Sequence, residues 1–414
     1  MFKSKFFLIL YAITVRVFID FIGRLMLAEI IALVSFPFLN IAALLKKFEG
    51  LKVVFKGLLL YLFIQIVSDY FNNSLAIDYL RGWSVIVFSI VSVAFLVKHL
   101  SINLKAIIPF LFTLLVVRLF FGEGDLDLNM LTENSNFFKV RFVGFLNIGI
   151  MLIGFYLFKF KKRGLVPIIF FIYAILCFVL DARSNGLIFA VSATLLFIKG
   201  SHISFSKGKV FVLAVFVSGI FYLGYLYYIN QVLYNDLGGA NAKNQISKMA
   251  NPNNPFELIY YGRTEAVIAI YAISEKPILG HGSWAKDKEG KYLKLQAELA
   301  ESDIITDRGF IPNHSLLLGA WLFSGIFGFL AISIILIYLL KEYFKIFKNK
   351  SISPMLPILT VLAIDMCWAM FFSPFGLLRT SFPIFAALII IYKKEYEQIQ
   401  IKNIKKWNNN TIKN

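Results

Sequence analysis

Apolar residues in this chain come in runs. Stretches of roughly 15–21 residues, long enough to cross hydrocarbon as helices, recur from end to end between polar connections. They predict twelve spans, over about 6–19, 25–45, 53–67, 83–97, 107–121, 143–158, 166–180, 186–198, 210–229, 315–340, 355–372 and 382–392. The fold class expected is an all-α polytopic membrane protein. Spans one to nine fill 1–229, a large polar loop fills 230–313, spans ten to twelve fill 314–392, and 393–414 is a tail. The eighth and twelfth spans are short, whereas 315–340 is long enough to tilt or to begin above the membrane.

Within the loop, turn formers cluster at 235–239 and 251–255. Residues 264–274 then read as a helix, ended by Pro277 and Gly280, and 292–301 as a second, more charged one. A polar connection of this length is uncommon without a function. The Asn/Lys-rich stretch 403–414 is expected to be disordered.

Composition agrees with one membrane domain: 414 residues, 59% hydrophobic against 16% charged, with mean hydropathy +0.74. The net charge of +18 would point to nucleic acid in a soluble protein. Here most of the lysines fall in alternate short connections, which is a topology signal, so no nucleic-acid partner is expected. The even connections, 46–52, 98–105, 159–163, 199–209 and 341–350, are basic, as is the tail after Lys393. The odd ones carry Asp69, Asp78, Glu123, Asp125, Asp127, Glu133 and Asp181. Both termini are therefore expected on the cytoplasmic side, and the large loop on the outer side. Lys3 and Lys5 before an apolar run resemble a signal peptide without a small-residue cleavage site, which predicts a retained first helix. Cys177 and Cys367 lie inside apolar segments and form no disulfide framework.

Arginine departs from lysine. Arg16, Arg24, Arg81, Arg118, Arg141, Arg183, Arg263, Arg308 and Arg379 fall in or beside outer segments, and only Arg163 falls inside. Arginine is the better fork for phosphate and carboxylate. An arginine-rich face rimmed by apolar helices predicts a site for a lipid-borne anionic substrate.

Several positions are candidates for that chemistry, each with a structural alternative. His314, in Pro312-Asn313-His314-Ser315, sits where the loop re-enters the membrane; it can relay a proton near neutral pH, or bond a loop carbonyl. Arg263, in Gly262-Arg263-Thr264-Glu265, adds its fork to a helix N-terminus, or pairs with Glu265 or a lipid headgroup. Arg183 lies in a short turn near hydrocarbon and needs a partner, either a substrate or Asp181. Arg141 with Lys139 grips a substrate or snorkels to headgroups. Arg308 and Arg379 are similar, weaker candidates. Asp365 lies within a span, as a functional carboxylate or an ion-pair partner. His281, between two glycines, fits a turn.

Taken together, Pro277-Ile278-Leu279-Gly280-His281-Gly282, Arg263 before it, and His314-Ser315, nine residues, Gly325, two residues and Gly328 after it form a pattern. This pattern resembles the O-antigen polymerase and O-antigen ligase superfamily. Arg141-Phe142-Val143-Gly144 is similar to that superfamily's Arg-Phe-x-Gly element. Arg183-Ser184-Asn185-Gly186 is similar to its Ser-Arg-Gly element, with the serine after the arginine here. The resemblance implies a GT-C-like glycosyltransferase of the bacterial inner membrane, acting at the periplasmic face on undecaprenyl-pyrophosphate-linked glycans. It implies no nucleotide sugar, metal or other cofactor, and a chain-length regulator as a possible partner. The polymerase is the reading favoured. Arg263 and Arg183 would grip the pyrophosphate, with Arg141 assisting and Asn313, Glu265, Arg308 and Arg379 lining the substrate; His314 would orient or deprotonate the acceptor. The alternatives are a ligase that transfers polymer to lipid A-core and a lipid-linked oligosaccharide flippase.

Overall fold

A computed structural model describes residues 2–21, 23–122, 142–180, 182–200, 207–235, 239–300, 309–349 and 353–411. It is about 81% helical. Among the described residues the only sheet is a two-stranded hairpin, β1 (Phe18–Asp20) with β2 (Arg24–Met26).

Helix α1 (Phe2–Thr14) precedes the hairpin; α2 (Leu27–Ser35) and α3 (Ile41–Lys47) follow it. Then come α4 (Glu49–Phe71), α5 (Ala76–Ile102), α6 (Ile107–Phe121), α7 (Val143–Lys159), α8 (Leu165–Val179), α9 (Arg183–Gly200) and α10 (Lys207–Asn235). The loop carries α11 (Gly239–Ser247), α12 (Pro255–Gly262), α13 (Thr264–Glu275) and α14 (Lys291–Ala300). The chain closes with α15 (Leu316–Lys348), α16 (Leu356–Phe372) and α17 (Ser381–Thr411).

Among the described residues four helices are long and apolar enough to cross a membrane, or five if a pair bent by 90° counts as one span. Three shorter apolar helices, α7, α8 and α16, accompany them. Such a set fits a membrane-embedded protein. The expected span over 25–45 takes a different form: Arg24–Met26 is strand, and α2 and α3 make a pair bent by 90° across a 3₁₀ turn at Phe36–Phe38, where Pro37 interrupts the helical hydrogen bonds. The tail is corrected, because α17 remains helical to Thr411 where disorder was expected.

One hydrophobic cluster runs through the bundle from Leu8 to Tyr392. The loop adds two small cores. Ile268, Ala272, Ala285, Tyr292 and Ile311 pack around Leu322 of α15; Ile229 and Val232 of α10 pack against Ala242, Ile246 and Met249. The first core anchors α13 and α14 to the bundle.

Charged side chains mark its two ends. At one, Lys393 reaches Glu49 at 3.6 Å and Glu342 at 3.7 Å, and Lys394 donates to the Lys47 carbonyl. These belong to connections expected to share a side. At the other end, η-type turn Phe375–Arg379 meets the start of α2, and the loop meets the last turns of α4 and α16.

Candidate functional site

The loop is fastened to the bundle by a break in α15. Gly325 adopts φ 67°, ψ −169°, a conformation open essentially to glycine alone. The break frees backbone groups, and the Pro277–Gly282 segment satisfies them. The His281 amide donates to the Leu322 carbonyl at 2.7 Å and the Gly282 amide to Phe323 at 3.1 Å. The Ile326 amide and the Trp321 indole both donate to the Pro277 carbonyl, at 2.9 and 2.8 Å. Two parts of the sequence pattern, Pro277–Gly282 and Gly325, are thus halves of one joint.

A buried carboxylate on α4 locks the other side of that segment. Asp69 accepts from the Ser283 amide at 2.6 Å, the Ser283 hydroxyl at 2.7 Å and the Trp83 indole at 2.8 Å. Gln65 donates to the same hydroxyl at 2.7 Å. Gly282, at φ 85°, brings the backbone in close beside Ser74 and Asp69. The His281 ring donates from Nε2 to the Ala272 carbonyl, 2.7 Å away; burial holds its pKa below the ordinary value, partly opposed by that hydrogen bond. His281 therefore serves the turn.

Arg263 lies between α12 and α13 and leaves the helical conformation there, at φ −142°, ψ 46°. The guanidinium lies over the rings of Trp368 and Phe372 on α16, 5.8 and 5.7 Å from their centroids. Those rings contact each other at 4.5 Å. Burial lowers the Arg263 pKa most; Glu265 opposes this, and the positive charge of Arg183 adds to it. The structure thus brings Arg183, from the start of α9, into electrostatic range of Arg263. Arg183 also donates to Gln245 on α11 at 3.0 Å. Two guanidinium groups this close, one desolvated over aromatic faces, create a local positive potential that favours an anion.

His314 is exposed directly before the Ser315 N-cap of α15. Ser315 accepts from the Leu318 amide at 3.1 Å and donates to the Met370 carbonyl at 2.9 Å. Met370 lies between Trp368 and Phe372, so His314 is carried to the same last turn of α16 that seats Arg263. Asn313 accepts from the Ser315 amide at 3.1 Å, which ties its amide to the turn. Asp365 is half-buried on α16, about one turn before Trp368.

Arg379 differs from its expected place among substrate ligands. Its Nε donates to Glu29 Oε1 at 2.6 Å, its Nη2 donates to Glu29 Oε2, and Nη2 also reaches the Arg24 carbonyl at 3.0 Å. Glu29 is fully buried and Arg379 18% exposed, so this fork is already filled by a carboxylate. Arg141, Arg308 and Asp181 lie outside the described residues.

Glu29, Asp69, Trp368 and Phe372 were not singled out in the sequence. Glu29 had a visible signal, a carboxylate inside an apolar run. The rings had none, in a chain with 45 phenylalanines and five tryptophans. Among the described residues no group of three or more His, Cys, Asp or Glu is placed to hold a metal ion. No protein-family model matches the chain, and no curated protein matches it at a significant level.

Proposed function

We propose that this chain is a surface-polysaccharide polymerase of the O-antigen type. It would sit in a bacterial inner membrane and join undecaprenyl-pyrophosphate-linked repeat units at the periplasmic face. The observation that carries the reading is the proximity of Arg263 and Arg183 at the junction of the loop with α9 and α16. In the reaction, an acceptor hydroxyl of one lipid-linked glycan attacks the anomeric carbon of another. A new C–O bond forms as the bond to pyrophosphate breaks, the electron pair leaves with undecaprenyl pyrophosphate, and the hydroxyl proton passes to His314 or to water. The leaving group gains negative charge as that bond breaks, and two fixed cations stabilise it more in the transition state than in the ground state. Attack opposite the leaving group inverts the anomeric centre.

The polymerase reading is supported further by the loop core on Leu322, which holds α13 and its Arg263 over the bundle. The lipopolysaccharide of a strain lacking the gene tests it. Core bearing one repeat unit and no ladder is the polymerase result. Bare core, with polymer still on its lipid carrier, would reassign the chain as a ligase. An unchanged ladder would remove the reading.

A further inference from the structure

A second polar cleft lies on the loop side of the α4–α5 turn, apart from the Arg263 seat on α16. Its volume is about 400 Å³, and it is walled by Asn72, Asn73, Ser74 and Asp78 on one side and the Trp284–Tyr292 segment on the other. That is ample for a short oligosaccharide. Four lysines line it against four carboxylates, so the wall carries no net formal charge. Such a wall suits an uncharged, hydroxyl-rich ligand better than a phosphate.

Two residues of its wall bear on the ligand. Asp78 is buried, with its side chain 4% exposed. One carboxylate oxygen pairs with Lys286 at 3.2 Å, and the other, Oδ1, is buried without a hydrogen-bond partner. A buried carboxylate oxygen left unpaired is costly and calls for a donor. The carboxylate holds Lys286, whose side chain is 37% exposed at the cleft wall and can donate to a sugar hydroxyl. The second feature is Trp284. It is 39% exposed, yet its backbone holds φ 49°, which a bulky residue rarely adopts. Its neighbours enforce this: the Ser283 amide is tied to Asp69, and the Ala285 carbonyl accepts from the Ile311 amide at 2.9 Å. Phe310 backs the indole edge-on at 5.6 Å. The ring is thereby fixed at the cleft with much of its surface uncovered, at a backbone strain that marks functional positions more often than others. An immobilised indole offers the apolar face on which the C–H face of a sugar ring packs.

We infer that the cleft between the α4–α5 turn and Trp284 binds an uncharged saccharide segment, with Trp284 as the stacking platform and Lys286, held in place by Asp78, as a donor to a sugar hydroxyl. Its role as the site that holds a growing glycan beside the Arg263 seat rests on the polymerase reading; the binding itself does not.

Full-length protein in nanodiscs is titrated with inorganic pyrophosphate and screened on an array of neutral and acidic oligosaccharides. Neutral oligosaccharides should bind, and Trp284→Ala or Asp78→Ala should weaken them at least tenfold while leaving pyrophosphate binding unchanged. Trp284→Gly relaxes the strained backbone while deleting the ring; it should melt no lower than the parent and still lose saccharide binding. Binding of acidic oligosaccharides only, binding of none, or parental affinity in the Trp284 variants would overturn the inference. Arg263→Ala should abolish pyrophosphate binding and spare the saccharide. If pyrophosphate fails to bind the parent while neutral saccharides bind through Trp284, the polymerase reading falls and the cleft stands.

Discussion

The backbone carbonyl of Ile278 occupies the space that a side chain at Gly325 would need, and a Cβ on Gly325 would overlap it. The helix break and the loop segment that fills it therefore depend on each other. Gly325→Ala meets both a forbidden φ and that carbonyl. Strain of about 1–3 kcal/mol and overpacking of about 1–3 kcal/mol together put the cost on the order of 3 kcal/mol. A clearly lower melting midpoint in detergent is expected. A midpoint equal to the parent's would show that the joint is not a fixed part of the fold.

Arg263 and Arg183 lie within electrostatic range as like charges, so each raises the cost of the other in the unliganded protein. Arg183→Ala removes the bond to Gln245 together with the repulsion, and should cost roughly 100- to 1000-fold in polymer formation. The double alanine variant should lose hardly more than either single one, since both act on one leaving group. Turnover of purified variants checks this; multiplicative losses would mean that the two arginines serve separate steps.

Glu29 and Arg379 are a stability pair. Glu29→Ala would leave Arg379, 18% exposed, without its carboxylate, at a cost of about 3–5 kcal/mol. It would also free the Met26 amide, which donates to Glu29 at 2.9 Å. Replacing both Glu29 and Arg379 by methionine should be milder than Glu29→Ala. The yield and melting midpoint of folded protein decide; a Glu29→Ala variant that melts like the parent would remove the structural assignment.

His281 gives the loop a pH dependence of known sign. Its folded pKa lies below the ordinary 6.5, chiefly through burial, so the unfolded loop binds the proton more readily. The stability it contributes is fully present above pH 6.5 and falls as the pH drops from 6.5 toward the folded value. Amide protection across 264–282, measured relative to the intrinsic exchange rate at each pH, should therefore fall at pH 5 relative to pH 7 by more in the parent than in His281→Asn. An equal change in both would assign the effect to other groups.

Much of this architecture was legible in the sequence, for reasons that differ by element. The loop helices at 264–274 and 292–301 announced themselves through Pro277, Gly280 and their polar flanks, and were found at Thr264–Glu275 and Lys291–Ala300. The form of the apolar run 25–45 was not legible because hydropathy does not distinguish a straight span from a hairpin followed by a bent pair; Pro37 was the one local clue. Gly325 entered the sequence reading through its spacing in the motif, and its role as a positive-φ break arises from Ile278, some 47 residues away in sequence. Arg263 and Arg183 were chosen for charge and position, whereas Arg379 showed the same surface signals and turned out to be filled by Glu29. Pairing of that kind is set by tertiary packing and leaves no local mark.

The most direct measurement reconstitutes the purified protein in liposomes with lipid-linked repeat units and follows both products. The account predicts a ladder of lengthening glycans with release of one undecaprenyl pyrophosphate per linkage formed, with no nucleotide sugar added, and neither product with Arg263→Ala. Repeat units that remain single with the parent protein, or a full ladder with Arg263→Ala, would contradict it.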